Sequence, residues 1–248
     1  KPFAPLENVS LQGEDVKAGE EVIPRGSLIH PSTIALLATF GYAEVQVAKQ
    51  PVVGILSTGT ELLDVSEPLV PGKIRNSNGP MISAQLARMG IASKTYGMSV
   101  DNLDESFGIV KKAAAETDCL ITTGGVSVGD FDFLPAIYER LGAEVLFNKV
   151  AMRPGKPLMA GRMGDAAMVG LPGNPVAAMV CALIFARPAL GVMAGKAWEN
   201  PQGFDVPAGF TKSKKAGRRE YIRAKITDGR VAAFASEGSG RVSGLSWA

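Results

Sequence analysis

The sequence predicts an α/β protein with a mainly parallel sheet covered by helices, and three observations carry that prediction. From about residue 51 to 195, short apolar runs alternate with segments of helical periodicity, and repeated βαβ units imply parallel strands with helices packed against the sheet. The first run, Val52 to Leu56, is continuously apolar, as befits a strand buried on both faces. Several runs end abruptly in glycine-rich polar loops, and in such sheets ligands bind where those loops gather, at the carboxyl ends of the strands.

Residues 1–50 read as a partial N-terminal domain segment. Gly13, Gly19, Pro24 and Gly26 separate short apolar pairs, a helical run covers Ser32 to Phe40, and Glu44 to Val47 alternates like a closing strand. His30, just before Pro31, is expected to be a capping or surface residue. Residues 51–200 form the α/β domain. Strands are predicted at Val52–Leu56, Ala92–Met98, Asp118–Thr122, Ala143–Phe147 and Met168–Leu171. Ile82, Leu86 and Met89 share one helix face, as do Leu103, Phe107, Val110 and Ala114, and a third helix spans Phe133 to Leu141. Residues 201–248 lose helical periodicity. Alternation over Glu220–Ile226 and Val231–Ala235 predicts a small β-barrel-like domain, truncated because no closing strand precedes Ala248.

The 248 residues suffice for an α/β core plus smaller units, at about 100–200 residues per domain. With 46% hydrophobic and 20% charged residues, the chain has an ordinary soluble globular composition. A net charge of +2 argues against a nucleic-acid binder. Charge is uneven, however: Thr211 to Lys225 carries a local +6, so the remainder carries −4. Such a run is either a solvated face or an anion-facing edge. Cys119 and Cys181 lie in apolar segments without metal-ligand spacing, which suggests buried reduced thiols and a cytoplasmic setting. A single histidine leaves no partner set for a Ser-His or His-zinc site. The longest apolar run, Val176 to Ala186, stops at Arg187-Pro188, short of the roughly 18 residues of a membrane span. No signal peptide is visible, and the opening Lys1-Pro2 lacks an initiator Met, so the chain is expected to be part of a longer protein.

Five strand-end or turn motifs could carry chemistry. Leu120 to Asp132 ends an apolar run in Gly124-Gly125, Ser127, Gly129 and two aspartates, Asp130 and Asp132. Strand, glycine loop and helix together present backbone N–H groups to an anion. Aspartates beside a phosphate ask for a divalent cation, although Asp132 could instead cap the following helix. It is neither a GxGxxG loop nor a P-loop, which disfavours a nicotinamide-dependent oxidoreductase. Ser57-Thr58-Gly59-Thr60-Glu61 lets a ligand approach the backbone and adds a carboxylate, or is an ordinary strand-end turn. In Arg75 to Gly79, Ser77 or Asn78 caps the next helix, or the amide reads a heterocycle edge. Arg153-Pro154-Gly155-Lys156-Pro157 aims two cations from a rigid turn, better suited to an oxyanion than to solvent alone. In Leu171-Pro172-Gly173-Asn174-Pro175, Asn174 suits N-cap and Pro175 suits N1, and a phosphate could use the same helix N-terminus.

Together with Gly13-Glu14-Asp15, these motifs resemble the molybdopterin molybdenumtransferase family, which includes the E domain of gephyrin, in its motif order over nearly the whole chain. The resemblance implies insertion of molybdenum from molybdate into adenylylated molybdopterin, with Mg²⁺ assistance and release of AMP. It implies that Ser57, Thr58, Gly59, Asn78, Gly124, Gly125, Ser127, Gly129, Pro172, Gly173, Asn174 and Pro175 bind the pterin nucleotide. Glu61, Asp130 and Asp132 would hold magnesium. Arg153 and Lys156, with Asp132, would be catalytic, and Arg218, Arg223, Ser239 and Ser243 would lie near the oxyanion. A homodimer, and contacts with other molybdenum cofactor biosynthesis proteins, are further implications, with neither nucleic acid nor membrane as partner. Two departures stand out: Ser10-Leu11-Gln12 where the family has arginines, and Arg153 where lysine is common. Competing expectations are a molybdopterin adenylyltransferase and a non-catalytic pterin-binding scaffold.

Overall fold

The computed structural model describes residues 4–99, 103–125, 134–200, 202–214, 216–236 and 238–248. The N-terminal segment contains α1 (Pro31–Thr39). The α/β region begins with β1 (Val53–Thr58), the short pair β2 (Leu62–Leu63) and β3 (Ile74–Arg75), α2 (Asn78–Arg88), β4 (Ser93–Ser99) and α3 (Leu103–Glu116). It continues through β5 (Cys119–Thr123), α4 (Leu134–Arg140), β6 (Glu144–Asn148), β7 (Met152–Arg153), β8 (Met159–Met163) and β9 (Ala166–Leu171). A long helix follows as α5 (Pro175–Cys181), a π-helical turn over Ala182–Ala186, and α6 (Arg187–Met193). The C-terminal segment holds β10 (Arg219–Glu220), the hairpin β11 (Ala224–Thr227) and β12 (Arg230–Ala233), and α7 (Ser243–Trp247).

The central sheet has six strands in the order β4-β1-β5-β9-β8-β6. The first four run parallel. β8 is antiparallel to β9, and β6 antiparallel to β8. The predicted mainly parallel sheet is therefore present, with β8 inserted against the general direction. The smaller antiparallel unit at the C-terminus is the β11–β12 hairpin.

Strand alternation distributes the apolar residues to two cores. On one face Val53, Ile55, Cys119, Ile121 and Leu171 pack with Ile82 and Leu86 of α2 and with the long helix. On the other, Leu56, Leu120 and Met168 meet Val110 and Ala113 of α3 and Leu134, Ile137 and Tyr138 of α4. Each fully buried Leu or Ile contributes about 1.5–3 kcal/mol, so covering both faces explains the unbroken apolar pattern of β1.

Some expectations are corrected. Glu44 to Val47 forms no strand, and Val45 and Val47 are exposed. The buried stripe of α3 includes Ala113 rather than Ala114. Arg187-Pro188 does not end the apolar helix, which runs from Pro175 to Met193, 19 residues that are long and apolar enough to cross a membrane. Pro188 cannot donate to Ile184. Just before it the hydrogen bonding widens, with the Arg187 N–H reaching back to the Ala182 carbonyl. Val176, Ala178, Cys181, Ala182, Ala186 and Leu190 are buried along this helix, and core packing accounts for its apolarity.

Burial pushes both thiols, Cys119 and Cys181, up from 9.0 to about 12. The thiolate is the reactive form, so the native protein is expected to resist alkylation at pH 8 and react at both positions in denaturant. Ready labelling without unfolding would contradict this. The sign of the pH effect follows: from pH 9 to 12 the unfolded chain sheds thiol protons that the folded chain keeps, so melting temperature should fall as pH climbs through that window.

Candidate functional site

A cleft of about 790 Å³ lies across the carboxyl ends of β1, β5 and β9. β1 delivers Thr58 and Gly59, β5 delivers Thr123, Gly124 and Gly125, and β9 runs out into Pro172–Pro175. The loops are tied to one another: the Gly124 N–H donates to the Leu171 carbonyl at 3.1 Å, and the Thr58 hydroxyl to the Thr123 carbonyl at 3.3 Å. Gly124 and Gly125 have φ of +86° and +63°. A Cβ on Gly124 would fall 2.5 Å from the Thr58 carbonyl oxygen, and one on Gly125 2.9 Å from the Thr58 hydroxyl. The paired glycines therefore answer two demands at once, a left-handed backbone and close approach of neighbouring strand ends.

Ser57, which does not line the cleft, and Thr123, which does, are both buried, and the Thr123 hydroxyl donates to Ser57 Oγ at 3.3 Å. Asn76 Nδ2 donates to the same Oγ at 3.0 Å, while Asn76 Oδ1 accepts the Gly79 N–H at 3.1 Å. Asn76 thus caps α2. Ser77 holds the N-cap position without a side-chain cap bond, and Asn78 begins the helix. Three consecutive capping-competent residues, Asn76-Ser77-Asn78, leave the choice of cap open at the level of sequence. Asn78 instead ties two loops together, its Nδ2 donating to the Gly173 carbonyl at 2.8 Å. A carbonyl can only accept, so the amide is fixed in orientation. Its Oδ1 is buried and, among the described residues, has no hydrogen-bond partner.

Asn174 and Pro175 occupy N-cap and N1 of α5, but Asn174 makes no side-chain cap bond. Pro175 has no N–H, and the Val176 N–H is taken by the Ser239 carbonyl at 3.0 Å. Part of the donor set that could have met a phosphate here is therefore engaged by the C-terminal segment. That segment also supplies Gly240 and Val242 to the cleft wall. Ser243 starts α7 and is exposed, as is Arg218 in the turn before β10. Arg223 directs its guanidinium to backbone carbonyls at Ser236, Gly238 and Arg241.

The Arg153–Pro157 turn stands beside the cleft and lines it through Pro157. The Arg153–Pro154 bond is cis. Gly155 is buried against Cys181, whose thiol donates to the Gly155 carbonyl at 3.6 Å. The Lys156 side chain is exposed, while its carbonyl accepts the Val150 and Leu158 N–H groups at 3.0 Å each. β7 pairs in parallel with β10, which brings the basic C-terminal run against this turn. There Glu220, largely buried, bridges Arg153 and Lys212 at 3.4 Å each. Sequence reasoning missed this carboxylate; one acid inside a run of cations was its only signal.

Glu61 lines the cleft and folds its carboxylate against Gly59. Ser127, Gly129, Asp130 and Asp132 lie outside the described residues. Among the described residues no three His, Cys, Asp or Glu side chains gather into a metal-binding group.

A mainly parallel α/β sheet with a glycine-paired cleft at its strand ends defines a ligand-binding α/β domain. Residues 54–191 match the family described as a probable molybdopterin binding domain, and the chain belongs to that family. It is similar to the molybdopterin molybdenumtransferase of Bacillus subtilis strain 168, with 51% identity over 229 residues, 90% of this chain and 52% of that protein. The protein of the same description from Staphylococcus aureus strain COL is 48% identical over 229 residues, 92% of this chain and 54% of that protein. The chain thus spans about half the length of these curated relatives. Among solved structures, the molybdopterin biosynthesis moeA protein of Pyrococcus horikoshii OT3 aligns with a TM-score of 0.79 at 27% identity, over 100% of this chain and 60% of that one. A molybdenum cofactor biosynthesis protein of Pyrococcus furiosus aligns with a TM-score of 0.66 at 25% identity, over 94% and 72%.

Proposed function

We propose that this chain is the ligand-binding part of a molybdopterin molybdenumtransferase, which inserts molybdenum from molybdate into adenylylated molybdopterin and releases AMP. The observation that carries this reading is the cleft itself: Gly124-Gly125 opens the backbone to a ligand, and the wall holds Asn78, whose buried Oδ1 has no hydrogen-bond partner among the described residues. A buried acceptor calls for a donor, and a pterin or adenine carries N–H groups that could serve as one.

In this reading the nucleotide lies over Thr58, Gly59, Gly124 and Gly125, with Ser57 acting through Asn76 and Thr123. Ser127 and Gly129 would continue the cradle. Arg153 and Lys156, beside the cleft, receive the oxyanion and stabilise charge that develops as the phosphoanhydride breaks. Glu61 supplies a hard oxygen donor of the kind Mg²⁺ takes, with Asp130 and Asp132 proposed to complete the set; bound there, the ion would neutralise phosphate charge. A homodimer, a cytoplasmic setting and the division into 1–50, 51–200 and 201–248 belong to the same proposal.

The adenylyltransferase alternative is disfavoured by the C-terminal segment, which contributes Gly240 and Val242 to the cleft wall. The full-length protein, given adenylylated molybdopterin, molybdate and Mg²⁺, is expected to release AMP and form molybdenum cofactor. Absence of AMP would sink the transferase reading, and AMP transfer from ATP to molybdopterin would favour the alternative.

A further inference from the structure

Glu220 is the single acid in the basic run from Thr211 to Lys225, and main-chain pairing fixes where it stands. β10 pairs with β7 in parallel, in a register that sets Glu220 opposite Arg153. The Arg219 N–H donates to the Ala151 carbonyl at 2.9 Å, and the Tyr221 N–H to the Arg153 carbonyl at 2.8 Å. Met152 is buried in the core and Tyr221 packs against that core, so both strands are anchored. Glu220 Oε1 accepts from Arg153 Nη1 at 3.4 Å, and Oε2 lies 3.4 Å from Lys212 Nζ. The acid is the deepest of the three: its side chain is 14% exposed, against 23% for Lys212 and 53% for Arg153. An ordinary surface ion pair exposes both partners and contributes little. Here a carboxylate is committed to the interior with one oxygen for each cation, while half of the Arg153 side chain stays open to solvent.

We propose that Glu220 is a positioning residue for the oxyanion: it clamps the Arg153 guanidinium beside the cleft and offsets one of the two positive charges carried by Arg153 and Lys212. Both effects serve turnover rather than binding. A guanidinium already held in place loses less freedom when it meets the reacting group. Two uncompensated cations would hold a tetrahedral dianion more tightly before reaction, and tightening the ground state does not raise kcat. Glu220 acts through Arg153 and does not itself meet the oxyanion, whose sign of charge it shares. The proposal rests on the reading of Arg153 as the cation that receives the oxyanion; the strand register that places Glu220 does not.

The test uses full-length protein supplied with adenylylated molybdopterin, molybdate and Mg²⁺, with turnover expressed per folded molecule. It compares Glu220→Gln, Glu220→Asp, Arg153→Ala, and Arg153→Ala combined with Glu220→Gln. Arg153→Ala alone is expected to lower kcat/KM for molybdate about a hundredfold. Glu220→Gln keeps the shape and removes the charge. It is expected to lower kcat about tenfold and also to lower the molybdate KM about threefold, a split that loss of folded protein cannot produce. Glu220→Asp restores the charge but falls one methylene short. Its KM should return to within about twofold of the parent with kcat still reduced about threefold, and it carries the measurement if Glu220→Gln does not fold. On the Arg153→Ala background, Glu220→Gln should change kcat by less than about twofold. Parental kcat or a raised KM in Glu220→Gln, or an equal loss of kcat with and without Arg153, would each overturn the proposal. Normal turnover in Arg153→Ala would end the reading of Arg153 and take the role of Glu220 with it. An impaired Arg153→Ala beside a normal Glu220→Gln would remove the role of Glu220 alone.

Discussion

Gly155→Ala is expected to destabilise the chain by about 3 kcal/mol and to lower its melting temperature by roughly 6–12 °C. Two effects combine. Gly155 has a φ of +105°, a conformation that costs an L-residue about 1–3 kcal/mol. Its Cβ would also land on Cys181 Sγ, with the Met152 methyl 3.3 Å away, and overpacking of that kind costs about 1–3 kcal/mol. Only the second effect depends on the thiol. In a double-mutant cycle, Gly155→Ala with Cys181→Ala should therefore be less destabilised than the sum of the single variants by about 1–2 kcal/mol. Strict additivity in the four melting curves would show that Cys181 is not what the new methyl meets.

Lys156→Ala, one residue further on, is expected to do the opposite. Its side chain is exposed and makes no bond to other described residues, so stability should stay within about 0.5 kcal/mol of the parent. Turnover with molybdate should fall on the order of 10²–10³-fold if the cation stabilises developing charge, and Lys156→Arg should recover part of it. Normal turnover in Lys156→Ala would remove this residue from the catalytic reading and leave Arg153 as the cation to test. The neighbouring pair of variants separates scaffold from chemistry within a single turn.

Legibility in the sequence differs by element. The parallel core could be read because β1, β5 and β9 are buried on both faces and so carry no charged residue and few polar ones. β8 could not: Met159-Ala160-Gly161-Arg162-Met163 has little β propensity, and its place comes from antiparallel pairing with β6 and β9. Conversely, Glu44-Val45-Gln46-Val47 alternates well yet has no ladder partner, since local pattern does not supply one. At the cleft, the glycine and proline loops were visible because backbone geometry restricts them to few residue types. What each polar side chain bonds was not visible. Ser57 reads as ligand-facing and is buried, Asn76 does the capping, and the charge of the basic run is partly answered by Glu220 and partly directed, at Arg223, to main-chain carbonyls.

The π-helical turn at Ala182–Ala186 has a consequence for the geometry of the long helix. Ala178, Ala182, Ala186 and Leu190, all buried, follow one another at steps of four. In a regular α-helix each such step overshoots a full turn by about 40°, so over three steps the row would wind away from the sheet. A wider turn takes up the extra rotation. The π turn is thus a phase correction: it resets the winding halfway along, so that both ends of one helix seat against the same wall. The Pro175 end, which borders the cleft, is thereby held in register by packing at Leu190, four turns further along the same helix.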